Sequence, residues 1–440
     1  MSSSSVIYSQ LPVILGPLFA LGCLIGAFYF LWRKRLIDDI PTSKVQGVFI
    51  GLTELKGTAE SEAPLASYLS KALCIEYKWQ IQEQWSRIVT ETYRDAQGNM
   101  QTRTRTESGW TTVAEEERSI DFYLKDDTGI IRILPEKASF HDTVVFDQTC
   151  GRDNPLYFAQ GPAREIPNSI HRRRFRETAI PIHTMLYVVG QARERLDMVA
   201  AEIAYDKSAP IFIISTKTEK QVSSSYNIWF WSLFCSGFIL VMVGMYLSAF
   251  LGQSAIDWQL FAIGAAGFLI AAAIGWLWNV YNSLVGLRQR VRQAWSQVDI
   301  QLKRRNDLIP NLVQVIDGYK KYERELQQSL VRLRSQLTAT PPGLPGADFN
   351  GVSPMLRIIR ELYPELKASE AFVKLQQTLT ETEQRIALAR DYFNNVATFY
   401  NTRIEIIPDR FLASLAKFQP QQLMGAGEFE RATPKVTFVS

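Results

Sequence analysis

Three long uncharged runs constrain what this chain can fold into. Residues 11–32, 228–251 and 260–278 contain no Asp, Glu, Lys, Arg or His. About 20 apolar residues, at roughly 1.5 Å per helical residue, are enough to cross a hydrocarbon core of about 30 Å. A cleaved signal peptide carries basic residues before its apolar run, but here the basic cluster at residues 33–35 follows it. The pattern predicts three transmembrane helices, the first of them an uncleaved anchor.

The charges flanking these runs predict an orientation. Basic side chains occur at 33–35, at 217 and 220 before the second run, and at 288, 290 and 292 after the third, while the N-terminal tail and the short loop after residue 251 have none. Lysine and arginine are enriched on the cytoplasmic side of membrane proteins. We therefore expect the N-terminus outside, both soluble parts in the cytoplasm, and a location in the bacterial cytoplasmic (inner) membrane.

Composition excludes several classes of protein. The formal net charge is only +4, which argues against nucleic-acid binding, and four cysteines and three histidines leave little for a disulfide scaffold or a metal site. The sequence contains no metalloprotease, P-loop, dinucleotide-binding or nucleophile-elbow motif. These features predict no enzymatic activity, no catalytic or metal-binding residue and no cofactor.

Residues 39–223 are typical of a β-rich domain. The segments 45–52, 74–82, 185–189 and 210–215 are rich in β-branched and aromatic residues, and 121–134 has the turn sequence of a hairpin. They predict a small barrel or sandwich with one or two helices. The run 103–110 is polar, and we expect it in an exposed hairpin or loop.

One basic cluster in this domain has two interpretations. Arg172, Arg173 and Arg174 are consecutive. They are candidates to contact anionic lipid headgroups, because both ends of the domain lead to membrane runs. A solvated basic loop explains them equally well.

The C-terminal part has apolar residues at heptad spacing in two long segments. Such spacing indicates long helices packed side by side, within one chain or between chains. Pro310 falls inside the first segment, where it either kinks the helix or lies in the first turn of a restarted one. The residues 338–353 predict a loop, with a short helix beginning at 354. The columns are Leu284, Val291, Val298, Leu312 and Tyr319 with Leu287, Ala294, Leu308, Val315 and Tyr322, and then Phe372, Leu379, Ile386, Phe393 and Tyr400 with Leu375, Ala389 and Val396.

Two resemblances follow from these motifs. The stretches 281–295, 299–305, 307–313, 363–370 and 390–401 closely resemble the LemA family, which implies an antiparallel helical bundle on a membrane anchor. Residues 64–65, 74–77 and 122–129 resemble the GIDE domain, a membrane-adjacent module. Its ligase activity resides in a separate RING finger with eight zinc ligands, which four unpaired cysteines cannot supply. Unlike typical LemA relatives, this chain has three predicted spans and a β-rich domain.

The fold expected is therefore a multidomain α+β membrane protein with three transmembrane helices, a cytoplasmic β-rich domain and a long antiparallel α-helical bundle. We expect an extracytoplasmic tail at 1–12, spans at 11–32, 228–251 and 260–278, a GIDE-like domain at 39–223 and a LemA-like domain at 281–440. Asp299, Arg304, Arg305 and Asp307 are expected to form structural ion pairs within or between chains.

Function is predicted as a non-enzymatic scaffold that self-assembles and organises or remodels the membrane; the alternative is an adaptor or regulator of a membrane protease or other membrane enzyme. The partners expected are membrane lipids, further copies of the chain and a membrane protein, with no nucleic acid. The candidate assembly or lipid-contact residues are Tyr281, Asn282, Trp295, Asp299, Arg304, Arg305, Asp307, Pro310, Asn311, Arg172, Arg173 and Arg174.

Overall fold

The computed structural model describes residues 3–94, 100–195, 200–207, 209–251, 257–319 and 370–424. The chain forms two compact units, one from Met1–Pro41 with Lys220–Ser440 and one from Thr42–Glu219. Mixed helices and strands are present, as the sequence predicts. The loop expected at 338–353 and the short helix expected after it lie outside the described residues.

The first unit is helical in its described parts. Three of its helices are long and apolar enough to cross a membrane. The second and third run well beyond the uncharged stretches, because polar residues continue the helices at their ends. The helices are α1 (Ser3–Asp38), α3 (Glu219–Leu251), α4 (Trp258–Tyr319), α5 (Glu370–Glu405) and α6 (Asp409–Leu415), while α2 (Leu156–Ala159) belongs to the other unit.

Helix α4 is one uninterrupted element of 62 residues. The third apolar run and the first heptad segment are therefore continuous. Pro310 lies inside α4, which neither ends nor restarts there. The edge-to-face rings of Trp295 and Phe393, 5.4 Å apart, join α4 to α5. Farther along α4, Arg305 meets Glu383 of α5, so the two helices run in opposite directions.

The heptad columns form the interface between α4 and α5. In α4 the column residues from 284 to 298 are all buried, and those described in α5 from 379 to 400 are buried as well. Gln301 and Arg305, which interrupt the apolar pattern, are buried with them. The prediction of long helices packed side by side is confirmed for the described residues.

Small residues in the spans differ in what they contact. At Gly16 of α1 and Gly244 of α3 the backbones nearly touch, since a Cβ on Gly244 would meet the Pro12 carbonyl oxygen at 2.6 Å and the Gly16 Cα at 3.1 Å. Close approach through small residues is typical of helices in lipid. At Gly22 and Gly267, in contrast, an added Cβ would meet nothing within 4 Å among the described residues.

The second unit contains thirteen strands among its described residues. They are β1 (Thr42–Ser43), β2 (Gly51–Glu60), β3 (Leu65–Ala66), β4 (Leu73–Arg94), β5 (Met100–Ser119), β6 (Phe122–Lys125), β7 (Ile130–Ile133), β8 (Ser139–His141), β9 (Thr143–Gly151), β10 (Ser169–Pro181), β11 (Met185–Glu194), β12 (Ala201–Ala204) and β13 (Ile213–Ser215).

Five strands close into a barrel. The pairings run β2–β6–β7–β12–β11 and return to β2, with β7 and β12 parallel and the other pairs antiparallel. Its core includes Leu55, Phe122 and Ile203, joined by Ile75 of β4 and Ile180 of β10. Of the two architectures that the sequence left open, the structure has the barrel. The predicted hairpin at 121–134 is present as β6 and β7, and Asp126 accepts the backbone N–H groups of its turn.

A second sheet is built on the long strand β4. It has the order β3–β4–β10–β9, and β5 also pairs with β4. Pairing with β10 ends at Trp85, so residues 86–94 and 100–108 form a two-stranded extension, here called the ribbon. The run 103–110 is thus part of an exposed hairpin, as expected. The strand expected at 45–52 begins only at Gly51, because Val45–Gly47 forms a 3-10 helix.

Candidate functional site at the membrane-proximal helix junction

Charged side chains from four helices meet where the apolar part of α1 ends. Arg35, the last residue of the basic cluster in α1, and Asp39, the residue directly after α1, meet side chains from α4, α5 and α6. This group, called the charged junction, consists of Arg35, Asp39, Ser283, Arg290, Arg403 and Asp409.

Two carboxylates organise the junction. Asp409 accepts hydrogen bonds from both terminal nitrogens of Arg35, at 3.3 and 3.5 Å, and a third from Nη1 of Arg403 at 3.4 Å. Asp39 accepts the Arg403 Nε at 3.1 Å and the Ser283 hydroxyl at 3.0 Å. The Arg290 guanidinium donates to the backbone carbonyl of Asp39 at 3.0 Å. Each carboxylate therefore links helices that are distant in sequence.

Burial determines the electrostatics of this junction. Arg35, Asp39 and Asp409 are all buried. Burial raises the pKa of Asp39, and the neighbouring Arg403 partly offsets this effect. Removing one partner from a buried charge pair leaves the other unpaired, which is strongly unfavourable. The junction thus fixes α1 against the helices that carry the LemA-like motifs.

The helix ends position these groups. Asp38 and Asp39 lie at the C-terminal end of α1, where Asp38 accepts the hydroxyl of Ser223 at 2.6 Å and pairs with Lys34. The end of α5 supplies Arg403, and α6 begins with Asp409. No group of His, Cys, Asp and Glu in the described part of the chain could hold a metal ion. The arrangement holds its charges in ion pairs between helices.

The predicted site residues near the membrane end of α4 pack locally. Tyr281 is exposed on one side and contacts the ring of Phe418 at 6.2 Å. Asn282 donates to the Trp278 carbonyl one turn earlier at 3.0 Å. Trp295 is half-buried against α5. These three lie on α4, but none belongs to the charged junction.

The four charged residues farther along α4 divide into two kinds. Arg305 is buried and pairs with Glu383 of α5 at 3.6 Å. Asp299, Arg304 and Asp307 are exposed. Only Arg305 therefore fixes α4 to α5 among these four. Their expected role in pairing between chains remains a prediction.

Pro310 and Asn311 lie in the backbone of α4, but their side chains fall outside the described residues. Their position in the α4 backbone fits both a residue that contacts another copy and a residue that only continues the helix. Both remain candidates from the resemblance alone.

The basic cluster in the β domain requires a correction. Arg172, Arg173 and Arg174 lie on strand β10, not in a loop. Arg173 is fully buried, pairs with Glu83 at 3.0 Å and donates to three backbone carbonyls, so it is unavailable to lipid. Alternation along the strand places it inside while its neighbours point outward. Arg174 pairs with Asp147 on β9, and Arg172 is exposed.

Sequence reasoning missed the charged junction. Apart from the pair of Arg403 and Asp409, its contacts join residues more than 200 positions apart, which no local pattern indicates. One signal was present: the acidic pair Asp38–Asp39 follows the basic cluster after two residues, shortly past the predicted end of a span. Two carboxylates this close to the hydrocarbon core of a bilayer require partners for their charge. The partner that the LemA-like part supplies to Asp39 is Arg403, near the end of α5.

Comparisons with known proteins agree with the two resemblances. A model of the LemA family matches residues 294–438, and a GIDE model described as an E3 ubiquitin ligase matches residues 90–250. The chain is similar to protein LemA of Metamycoplasma hominis, with 25% identity over 167 residues that cover 36% of this chain and 76% of the relative. No solved structure matches the chain.

Two further relatives carry the name of a magnetosome protein. Magnetosome protein MamQ 2 of Paramagnetospirillum magneticum is 22% identical over 200 residues, covering 38% of this chain and 74% of that protein. Magnetosome protein MamQ of Magnetospirillum gryphiswaldense is 23% identical over 189 residues, covering 36% and 70%. The resemblance predicted from the sequence is confirmed: the chain combines a LemA-family C-terminal region with a GIDE-type region before it.

Proposed function

We propose that this chain is a non-enzymatic integral membrane scaffold that self-assembles through its LemA-like helical region and organises or remodels the membrane. The observation that carries the proposal is helix α4, which continues from an apolar span into the LemA-like region without interruption. Its 62 residues extend roughly 90 Å at about 1.5 Å per residue. A continuous helix of this kind connects the region that contacts other copies directly to the segment that crosses the bilayer.

The proposed assembly domain is a long antiparallel helical bundle spanning residues 281–440. The buried seam between α4 and α5 supports the helix pairing within it. On the exposed side of α4, Asp299 and Arg304 are available for contacts with a second copy. The names of the LemA and MamQ relatives describe no enzymatic activity, which agrees with a scaffold.

The proposed placement follows the charge distribution. The tail 1–12 lies outside, the spans are 11–32, 228–251 and 260–278, and the domains 39–223 and 281–440 are cytoplasmic, in a bacterial inner membrane. The partners are membrane lipids and further copies of the chain. The positive charges beside each span support this orientation.

The mass of the full-length protein in nanodiscs, measured by light scattering corrected for lipid, tests self-assembly. We expect a discrete multimer of the 50.1 kDa chain. In the proposed contact Asp299 of one copy pairs with Arg304 of another. The variants Asp299→Arg and Arg304→Asp should therefore each reduce the mass, and the double exchange, which restores opposite charges, should recover it. Arg385→Gln on α5 is the matched control. A 50.1 kDa species for the unmodified chain would contradict the scaffold.

The ribbon favours a second candidate function, an adaptor or regulator of a membrane protease or other membrane enzyme. Among the described strands, none pairs with the outer edge of β5, and Ile88, Tyr93 and Met100 of the ribbon are exposed. Exposed strand edges accept an added strand from a partner. Shortening the ribbon should remove a stoichiometric membrane-enzyme partner while leaving the multimer mass unchanged; a partner retained after shortening would contradict this role.

A further inference from the structure

A cavity of about 340 Å³ lies beside the charged junction. Its walls come from the C-terminal end of α1, the beginning of the apolar part of α3, and the end of α5. At roughly 30 Å³ per molecule of liquid water, this volume corresponds to about ten waters. The cavity is therefore large enough for a small charged group, and it is partly open to the surroundings.

The position of the cavity matches the headgroup level of a bilayer. Leu31 on its wall is near the end of the first uncharged run, and Asn227 directly precedes the second. Lys34 and Arg35 follow Leu31 by one turn. Apolar residues thus meet charged ones at one depth, where the two spans leave the hydrocarbon. Phe399 of α5 and Ile406, the residue directly after this helix, add exposed apolar surface on the opposite wall.

Unused hydrogen-bond donors face this cavity. Lys34 pairs with Asp38, which uses one of the three ammonium protons. Arg403 donates from Nε to Asp39 and from Nη1 to Asp409, and in the described part of the chain its Nη2 makes no hydrogen bond. Both cations remain partly accessible, with exposed side-chain fractions of 27% and 22%. They are suited to bind the oxygens of a phosphate diester.

The lining is not simply basic. Asp38 and Asp39 lie on the same wall as the cations, and Asp409 is paired behind them. Lys34, Arg35 and Arg403 are thus balanced by three carboxylates. Asp38 is 31% exposed and has oxygen lone pairs left for a donor. An anionic headgroup would meet this carboxylate unfavourably, whereas a primary ammonium would donate to it.

We infer that the cavity binds the headgroup of a zwitterionic phospholipid with a primary amine, of the phosphatidylethanolamine class. The phosphate accepts from Lys34 and Arg403, the ammonium donates to Asp38, and the acyl chains extend along the apolar helices. A choline headgroup keeps the phosphate contacts but has no N–H to donate. This inference rests on the membrane anchoring in the proposed function and is independent of self-assembly.

Native mass spectrometry of the full-length chain in detergent tests the inference. Short-chain phosphatidylethanolamine, phosphatidylcholine and phosphatidylglycerol are titrated separately, and inorganic phosphate is added as a competitor. We expect phosphatidylethanolamine to bind about tenfold or more tightly than the other two, since each lost charge-assisted hydrogen bond reduces affinity by at least that factor. Equal binding of the three lipids, or binding of phosphate without the lipid, would overturn the inference.

Variants locate the binding. Lys34→Gln and Asp38→Asn should each weaken phosphatidylethanolamine binding about tenfold, and Thr402→Trp, which fills the cavity without changing charge, should abolish it. Arg385→Gln, an exposed position on α5 far from the lining, should leave it unchanged. Hydrogen exchange of α5 checks folding of each variant. Wild-type affinity in Thr402→Trp would refute the site, while an unchanged multimer mass would leave the scaffold standing.

Discussion

Glu76 on strand β4 carries the strongest pH-dependent prediction. It is buried, and its Oε2 has no hydrogen-bond partner in the described part of the chain. Burial, together with the nearby carboxylates of Asp142 and Glu117, raises the pKa of this carboxyl from 4.5 to about 8, while Lys78 opposes the rise. We expect Glu76 to be protonated in the folded domain at neutral pH and ionised in the unfolded chain.

The sign of the effect on stability follows from this difference. Between the unfolded pKa near 4.5 and the folded pKa near 8, the folded state binds a proton that the unfolded state has lost. The contribution of Glu76 to stability is therefore complete below the lower value and is lost as the pH rises to the higher one. One pKa unit corresponds to about 1.4 kcal/mol. From pH 5.5 to pH 7.5 the free energy of unfolding should fall by about 3 kcal/mol because of this residue.

The variant Glu76→Gln keeps the shape and removes the titration. We expect it to match the parent protein below about pH 4.5, and its advantage in stability over the parent to grow by about 3 kcal/mol between pH 5.5 and pH 7.5. Pulse proteolysis of the full-length protein in urea, with peptides of β4 and β10 quantified, gives the free energy of unfolding of this domain. Glu136→Gln, at an exposed position, is the control. A difference between Glu76→Gln and parent that does not change with pH would refute the reasoning.

Three further predictions concern packing. Gly244→Leu should separate α1 from α3 and lower the melting temperature of the protein in nanodiscs by several degrees, whereas Gly22→Leu, with open space around it, should have little effect. Arg173→Met should destabilise the β domain by about 3–5 kcal/mol in the same urea assay, because it leaves a buried carboxylate unpaired; a change below 1 kcal/mol would contradict this. Val298→Asp should remove the hydrogen-exchange protection of α5, and Ile300→Asp, which is exposed, should retain it.

The helical part could be predicted because its signals are local. Uncharged runs of about 20 residues and a heptad spacing each depend only on neighbouring positions along one helix. The residues of the columns containing Val291 and Phe393 whose side chains the structure describes accordingly lie buried between α4 and α5. Even the polar interruption at Arg305 is explained once its partner Glu383 is known.

The β domain and the junction could be predicted only in part. Barrel closure depends on β2 pairing with β11, more than 120 residues later, and no local pattern specifies such a partner. The cluster at Arg173 was ambiguous because its inward direction follows from the register of β10 with β4. In the same way Asp39 and Arg403 are adjacent only through helix packing, so the acidic pair after the first span indicates that a partner is needed but not which residue supplies it.

Because α4 is continuous, the side that contacts α1 and the side that contacts α5 have fixed directions around one helix axis. Asn279 donates to a carbonyl of α1 and Ser283 to Asp39, while Val291 and Val298 face α5 on the same uninterrupted helix. One residue inserted after Ser283 would rotate everything beyond it by about 100°, turning the α5-facing side away from its partner. Seven inserted residues would rotate it by only about 20° and lengthen the rod by about 10 Å. Insertion of a heptad therefore keeps the α5-facing side in phase, which a single residue does not, but the added length would carry Arg290 away from Asp39.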